Sequence, residues 1–251
     1  MPCGALWNGF GLTDMPRVAI VAALEREVRP LVKSWRATER EHDGRRFRFF
    51  ENGEIVLICA GIGAAAARRG AEAAIAKFGP KLIYSAGFAG ALNPKLRVGD
   101  VVRPQVVINA ADGSRIAVED GEGVLVSFGS IASPEQKTKL HVWFGGDAVD
   151  MEAAAVACAA DARGIAFRAL KAISDEIDFD FPATQRFVDS EGKFSEGSFA
   201  LFAAVRPWLW SRVLHLARNS KHASHSLCDA LRNLSATGEL EVDRSAASDR
   251  Q

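Results

Sequence analysis

The sequence is poor in cysteine and lacks any long hydrophobic run. Cys3, Cys59, Cys158 and Cys228 lie far apart and form no Cys-x-x-Cys pair, which argues against a disulfide framework and against a zinc site. No apolar run reaches the roughly 18 to 20 residues that a transmembrane helix requires. The histidines show no metal-ligand spacing with acids or cysteines. We therefore expect a cytoplasmic chain with reduced thiols, no metal and no organic cofactor.

The sequence also lacks an excess of charge of either sign. Its 31 basic residues balance 31 acidic residues, so no overall field draws the chain to nucleic acid, and we expect a small-molecule partner. A length of 251 residues with 48% hydrophobic residues suits one globular domain. We predict a loose leader over residues 1–16, a single domain over 17–235 and a disordered polar tail over 236–251.

Short apolar strands alternate with helical segments along the domain. Strands are predicted at 18–23, 82–91, 98–108, 124–128, 148–151 and 167–174, and Asn52-Gly53 predicts a hairpin between 45–50 and 55–60. Helices are predicted at 25–35, at 64–78, after Pro134, at 152–163 and through the C-terminal third. This alternation is typical of an α/β layered protein, in which ligands bind at the carboxyl ends of the strands.

Three acidic residues follow the ends of apolar strands: Glu27, Glu152 and Asp175. Each could simply be a carboxylate favoured at a helix N-terminus, and for Glu27 this is as good an explanation as function. Their convergence at one edge of a sheet favours a site. Lys171 stands in the same strand as Asp175, and period-two alternation places both on one face. A buried ammonium needs a partner, so we expect Lys171 to pair with a strand-end carboxylate.

The order and character of several segments resemble the purine nucleoside and uridine phosphorylase superfamily. The segments are VAIVAALEREV, CAGIGAAAARRGAEAAI, LIYSAGFAGAL with VGDVV, AVDMEAAAVA and KAISD, spanning about residues 18–178. The DMEAAA and AISD pair is most similar to the methylthioadenosine/S-adenosylhomocysteine nucleosidase branch. The resemblance implies a three-layer α/β/α fold with a central mixed twisted sheet. It also implies an enzyme that cleaves the N-glycosidic bond of a purine nucleoside.

The resemblance assigns a role to each matching residue. Asp175 takes the place of the acid that protonates the purine at N7, and Ser174 the place of a residue that orients it. Glu152 and Met151 stand where the family grips the ribose hydroxyls. Glu27 matches the glutamate that activates water in nucleosidases. Loss of a purine develops positive charge on the ribose and negative charge on the base, so these groups suit the chemistry.

Other positions indicate whether water or phosphate is the nucleophile. Lys171 stands where nucleosidases usually carry an arginine that pairs with Glu27. Phosphorylases of the superfamily bind phosphate with arginines, one of them in the strand that here reads LIYSAGFAG, where this chain has Ser85 and Phe88. Glu27 would repel a phosphate dianion. We therefore expect hydrolysis; the alternatives are phosphorolysis with phosphate as co-substrate, and a catalytically inactive nucleoside-binding protein.

Contacts to the substrate are predicted from glycines and apolar residues. Gly87 lets backbone amides approach the ligand, Phe128 and Ile131 are candidate surfaces against the base, and Phe88 is a further candidate substrate-binding residue. The short region 108–145 and the C-terminal third are similar to the hopanoid-associated branch, which implies adenosylhopane, a 5′-lipidated adenosine, as substrate. The tryptophan-rich helix from Trp208 to Trp210 suits peripheral contact with the inner membrane surface. Homo-oligomerisation, as a dimer, is also implied by the resemblance.

Overall fold

The computed structural model of the protein describes residues 18–179, Ser195 and residues 210–236. Eleven strands and five helices are present in this part of the chain. The strands are β1 (Val18–Ala22), β2 (Arg36–His42), β3 (Arg45–Asn52), β4 (Ile55–Cys59), β5 (Leu82–Ala91), β6 (Val101–Val102), β7 (Val106–Asn109), β8 (Arg115–Ala117), β9 (Val124–Ser127), β10 (Ala148–Asp150) and β11 (Ala166–Asp175). The helices are α1 (Glu25–Val32), α2 (Ala64–Phe78), α3 (Pro134–Phe144), α4 (Ala153–Asp161) and α5 (Trp210–Ala236).

The strands form one mixed sheet, organised around β5. The main order is β2-β3-β4-β1-β5-β10-β9-β7-β8, and β11 pairs with β5 and β6. The first half of β5 pairs in parallel with β1, and its last two residues pair antiparallel with β10. Along its other edge β5 pairs with β11 from Leu82 to Gly90. The ends of β1, β10 and β11 are therefore brought together beside the second half of β5.

Helices cover both faces of the sheet. In β1, Val18, Ile20 and Ala22 pack toward α1 and α5, whereas Ala19 and Val21 pack toward α2 and α4. Such alternation is what a strand buried on both faces requires. The predicted three-layer α/β/α architecture with a mixed sheet and a helical C-terminal segment is confirmed.

Several predicted elements differ from the observed ones. The stretch 98–108 is two strands rather than one: β6 pairs with β11, and β7 pairs with β9, because the turn at Pro104 breaks the run. Strand β2 was not predicted, since its charged, largely exposed sequence RATEREH lacks apolar alternation and its partner β3 alone holds it. Helix α1 ends at Val32 rather than residue 35. The predicted leader, the predicted tail and Trp208 lie outside the described residues.

No helix within residues 18–179 or 210–236 has the length and apolar character needed to cross a membrane.

Helix α2 lies so close to the sheet that Gly70 has no room for a side chain. A Cβ added at Gly70 would overlap the Cβ of Ala60 and lie 3.7 Å from Cδ1 of Ile58. We expect Gly70→Ala to destabilise the fold by about 1–3 kcal/mol, although alanine is the better helix former. Thermal unfolding measures this. Gly129→Ala, where an added methyl meets open space, is the matched control. A stabilised Gly70→Ala protein would contradict the close packing.

Candidate active site

A cavity of about 1110 Å³ opens where β1, β10 and β11 end. Seven of the predicted site residues line it: Glu27, Phe88, Ile131, Met151, Glu152, Ser174 and Asp175. Two others, Lys171 and Gly87, are buried behind its wall. The structure therefore brings the three predicted carboxylates to one cavity, at the edge of the sheet that the sequence pattern indicated.

Glu27 lies in the first turn of α1, directly after β1, and its side chain is buried. Within the described part of the chain, its Oε2 atom has no hydrogen-bond partner. Burial raises the pKa of Glu27 to about 7, and the neighbouring charge of Glu152 acts in the same direction. Gly87 makes room for this carboxylate, because a Cβ there would lie 2.8 Å from Oε2. Gly87 therefore leaves space for the Glu27 side chain and does not line the cavity as a ligand contact.

Lys171 pairs with Asp150, not with Glu27 as the resemblance had implied. Its Nζ lies 2.8 Å from Asp150 Oδ2 and donates to Ser85 Oγ at 3.0 Å, and both charged side chains are at most 1% exposed. The charge of Lys171 still lowers the pKa of Glu27 against the larger effect of burial. Asp150, at the end of β10, presents its carboxylate directly to Lys171.

Asp150 is a site residue that sequence reasoning missed. It accepts hydrogen bonds from Ser127 Oγ at 2.6 Å and from the Ala153 amide at 2.8 Å. Ser127 Oγ in turn accepts from the Ala154 amide at 2.9 Å, so the pair ties β9, β10 and the start of α4 together. The signal was present: an aspartate inside the apolar run AVDM requires a cation for the same reason that Lys171 requires an anion.

Glu152 sits at the N-cap position of α4 and is partly exposed to the cavity. Its Oε1 accepts from the amide of Gly63 at 2.7 Å, and its Oε2 accepts from the amide of Met151 at 3.2 Å. Burial, followed by the charge of Asp150, raises the pKa of Glu152, while Lys171 opposes that rise. The two amide contacts fix the carboxylate at the cavity wall beside Glu27.

Asp175 lies at the other end of the carboxylate group and is held by two donors. Ser174 Oγ donates to Oδ1 at 2.7 Å, and Lys137 Nζ donates to Oδ2. Gly90 leaves the space for this arrangement, because a Cβ there would lie 2.9 Å from Asp175 Oδ2. Two glycines of β5, at 87 and 90, therefore each admit one acidic side chain.

A β-bulge corrects the predicted relation between Lys171 and Asp175. The β11–β5 register pairs Ile173 with Ala89 but Asp175 with Gly90, so Ser174 is an extra residue. The insertion interrupts period-two alternation, and Asp175 does not share a face with Lys171 as simple alternation would have it. The two residues accordingly contact different partners: Lys171 contacts Asp150, and Asp175 contacts Lys137.

Lys137 is the second residue that sequence reasoning missed. It lies in the first half of α3, whose start is set by a capping box between Ser133 and Gln136. Its side chain is 2% exposed, and its Nζ also donates to the Glu176 carbonyl at 2.6 Å. Nothing in PEQKTKL distinguishes Lys137 from the exposed Lys139, because only the packing of α3 on the sheet shows which lysine points inward.

The apolar candidates occupy different places. Phe88 lines the cavity and packs against the core, whereas Ile131 is 44% exposed at the cavity wall. Phe128 packs against the core cluster beside Val126 instead. In the part of the chain that the structure describes, no group of three or more His, Cys, Asp or Glu side chains could hold a metal ion.

Curated relatives cover most of the chain. An aminodeoxyfutalosine nucleosidase of Campylobacter jejuni is 27% identical over 221 residues, which cover 72% of this chain and 95% of that protein. A 5′-methylthioadenosine/S-adenosylhomocysteine nucleosidase of Staphylococcus aureus is 28% identical over 196 residues, covering 63% of this chain and 86% of its own.

Solved structures share the fold at lower identity. The 5′-methylthioadenosine/S-adenosylhomocysteine nucleosidase of Helicobacter pylori, with butyl-thio-DADMe-Immucillin-A, matches at a TM-score of 0.67 and 20% identity, covering 89% of this chain and 99% of that one. The apo 5′-methylthioadenosine nucleosidase of Arabidopsis thaliana matches at 0.69 and 18%, covering 92% and 98%.

The family model described as the phosphorylase superfamily matches residues 17–135 and 121–205, which is most of the chain. The resemblance inferred from DMEAAA and AISD is confirmed by this match and by the nucleosidase relatives. The chain belongs to the phosphorylase superfamily.

Proposed function

We propose that this protein is an enzyme that cleaves the N-glycosidic bond of an adenine nucleoside, with water as the nucleophile. The observation that carries the proposal is the convergence of Glu27, Glu152 and Asp175 on one cavity, each held by different contacts. The relatives support it, since those from C. jejuni and S. aureus are both named nucleosidases. An inactive binding protein would have no need to keep three carboxylates so close together.

Asp175 is the acid at the base. Cleavage leaves the bonding electron pair on the purine, and a proton delivered to N7 neutralises it. Ser174 holds the Asp175 carboxylate from one side, which fixes the direction in which it faces the cavity. General acid assistance of this kind contributes about 100- to 10,000-fold to the rate.

Glu152 and Met151 bind the ribose. Glu152 Oε1 and Oε2 are oriented by two backbone amides, so the carboxylate is set before the substrate arrives. A negative group beneath the sugar stabilises the positive charge that develops on the ribose as the bond breaks.

Glu27 activates the water. A base works best when its pKa lies near the operating pH, and burial raises the pKa of Glu27 to about 7. Its Oε2, which has no hydrogen-bond partner among the residues that the structure describes, is available to accept a proton from water. Phosphorolysis is the alternative; it would depend on cations in the cavity wall such as Arg26, and phosphate would face Glu27 and Glu152.

The cavity supports a substrate with a large 5′ group. Its volume of about 1110 Å³ lies just above the range of roughly 300–1,000 Å³ that is usual for small-molecule sites. Beyond the carboxylates its wall is formed by α1 and α5, and α5 contributes the apolar Val213, Leu216 and Ala217 as well as the polar Lys221 and His225. The apolar part of this wall is the reason to keep adenosylhopane as the proposed substrate.

We also propose where the protein is located in the cell and that it forms an oligomer. An enzyme acting on a lipid-linked nucleoside would be cytoplasmic with peripheral membrane contact near Trp208 to Trp210, and the exposed Leu214 in the first turns of α5 suits such contact. Homo-oligomerisation, as a dimer, is supported by Val142 and Trp143, adjacent apolar side chains of α3 that are 73% and 70% exposed.

The purified protein should release free adenine from adenosine or methylthioadenosine in phosphate-free buffer, as measured by chromatography. Asp175→Asn should lower the rate by about 100-fold or more, because the leaving base loses its acid. Asp178→Asn changes an exposed carboxylate nearby and should have little effect. A requirement for phosphate would establish the phosphorolytic alternative. Absence of free base from every nucleoside would favour the binding-protein alternative.

Glu27→Gln should abolish hydrolysis yet stabilise the protein at high pH. The folded state favours protonated Glu27, so ionisation costs no stability below pH 4.5 and an increasing amount as the pH rises to about 7. Removing this cost should raise the free energy of unfolding by about 3 kcal/mol at pH 8. Thermal unfolding at pH 5 and pH 8 measures the difference. Glu25→Gln, at a surface carboxylate of the same helix, is the control. An equal effect of Glu27→Gln at both pH values would contradict the assignment.

The α5 wall should matter only for substrates with a long 5′ group. Leu216→Ala should lower kcat/KM for a long-chain 5′-alkyl adenosine by roughly tenfold, since apolar contact with the chain is lost, and should leave methylthioadenosine unchanged. Arg218→Ala, at an exposed position of the same helix outside the cavity wall, is the control. Equal effects on both substrates would argue against a lipid pocket.

A further inference from the structure

Lys137 is a buried cation beside Asp175, at the end of the cavity proposed to bind the purine. The mechanism proposed above gives it no role. It comes from α3, and its Nζ reaches both the Asp175 carboxylate and the Glu176 carbonyl. Burying an ammonium in a protein wall is costly unless it is paired. Many residue types could fill the same space without that cost, which suggests a chemical use for the charge.

Two donors surround the Asp175 carboxylate, and they differ in their ability to supply a proton. Oδ1 accepts from Ser174, and Oδ2 accepts from Lys137, so both oxygens act as acceptors. In both contacts the hydrogen comes from the partner group, so neither is a donation by Asp175. Of its two donors, Ser174 is a neutral hydroxyl and Lys137 is an ammonium, which is the group that can release a proton.

We propose that Lys137 supplies, through Asp175, the proton that the departing purine takes up. The proposal rests on the N-glycosidic cleavage proposed above. As the C1′–N9 bond breaks, its electron pair moves into the purine, a proton passes from Lys137 Nζ to Asp175, and Asp175 delivers a proton to N7. Water forms the new bond to C1′ and loses its proton to Glu27. Lys137 ends as a neutral amine and Glu27 as a carboxylic acid, and exchange with solvent restores both.

The surroundings of Lys137 suit a proton donor of fixed position. The Glu176 carbonyl orients the ammonium from one side, and Gly90 leaves room for its stem, since a Cβ there would lie 3.2 Å from Lys137 Cε. Lys137 itself is among the residues that line the cavity. It is a positioning and proton-supplying residue, which acts on the substrate through Asp175.

The test compares two leaving groups. Adenine must be protonated to leave, whereas the 4-nitrophenolate of 4-nitrophenyl β-D-ribofuranoside leaves as an anion. Lys137→Met should lower kcat for adenosine by about 100-fold or more and change the rate for the aryl riboside by less than about threefold. Lys137→Arg keeps the charge but holds its proton too tightly to release it, so it should lose activity with adenosine as Lys137→Met does. Lys139→Met, which removes an exposed lysine from the same helix, should behave as wild type. Equal losses on both substrates would overturn the proposal in favour of a structural role.

A double-mutant cycle tests the proposal independently. It also applies if wild type does not accept the aryl riboside. If Lys137 acts through Asp175, adding Lys137→Met to Asp175→Asn should cost less than about threefold more with adenosine. A full further loss in the Asp175→Asn background would overturn the proposal. Thermal unfolding of each variant identifies one that fails to fold, and Lys137→Arg then replaces it in the cycle. Absence of adenine release by wild type would instead refute the proposed function itself.

Discussion

The buried ion pair between Lys171 and Asp150 is the interaction on which the site depends. It joins β11 to β10, and through Ser85 and Ser127 it reaches β5 and β9. Both charges are removed from water, so their attraction must be supplemented by hydrogen bonds, and Asp150 receives two. Removing one partner of such a pair would leave an uncompensated charge in the wall. Four strands are thereby tied together directly behind the cavity.

The positive charge of Lys171 also offsets part of the repulsion among the neighbouring carboxylates. Glu152 follows Asp150 by two residues, and Glu27 lies close enough for the charge of Glu152 to raise its pKa. The charge of Lys171 lowers the pKa of both glutamates, although burial outweighs it. The pKa of Glu27 is accordingly about 7, and the pKa of Glu152 is raised above its ordinary value. A site that must bind a developing cation and accept a proton from water needs this balance, and a purely structural cluster does not.

The sequence predicted the parts of the fold that follow from local patterns. Helix α2 and strand β5 have the predicted bounds. The alanine-rich sequence of α2 and the apolar run that begins β5 are easily told apart by their local composition. Strand β2 was missed because its stability comes from its partner strand. In the site, Glu27, Glu152 and Asp175 could be found, since each stands where an apolar run ends. Asp150 and Lys137 could not be assigned partners, because pairing depends on how separate elements pack.

The β-bulge at Ser174 explains why the two lysines serve different ends of the cavity. The extra residue changes the face of β11 on which Asp175 emerges relative to Lys171. The register shift turns Asp175 toward Gly90 and α3, where Lys137 meets it. One lysine therefore remains with the carboxylates proposed for the ribose and water, and the other with the carboxylate proposed for the base. Cleavage makes the ribose positive and the base negative at the same moment, so the two ends require opposite electrostatic environments. A single inserted residue in β11 provides that separation.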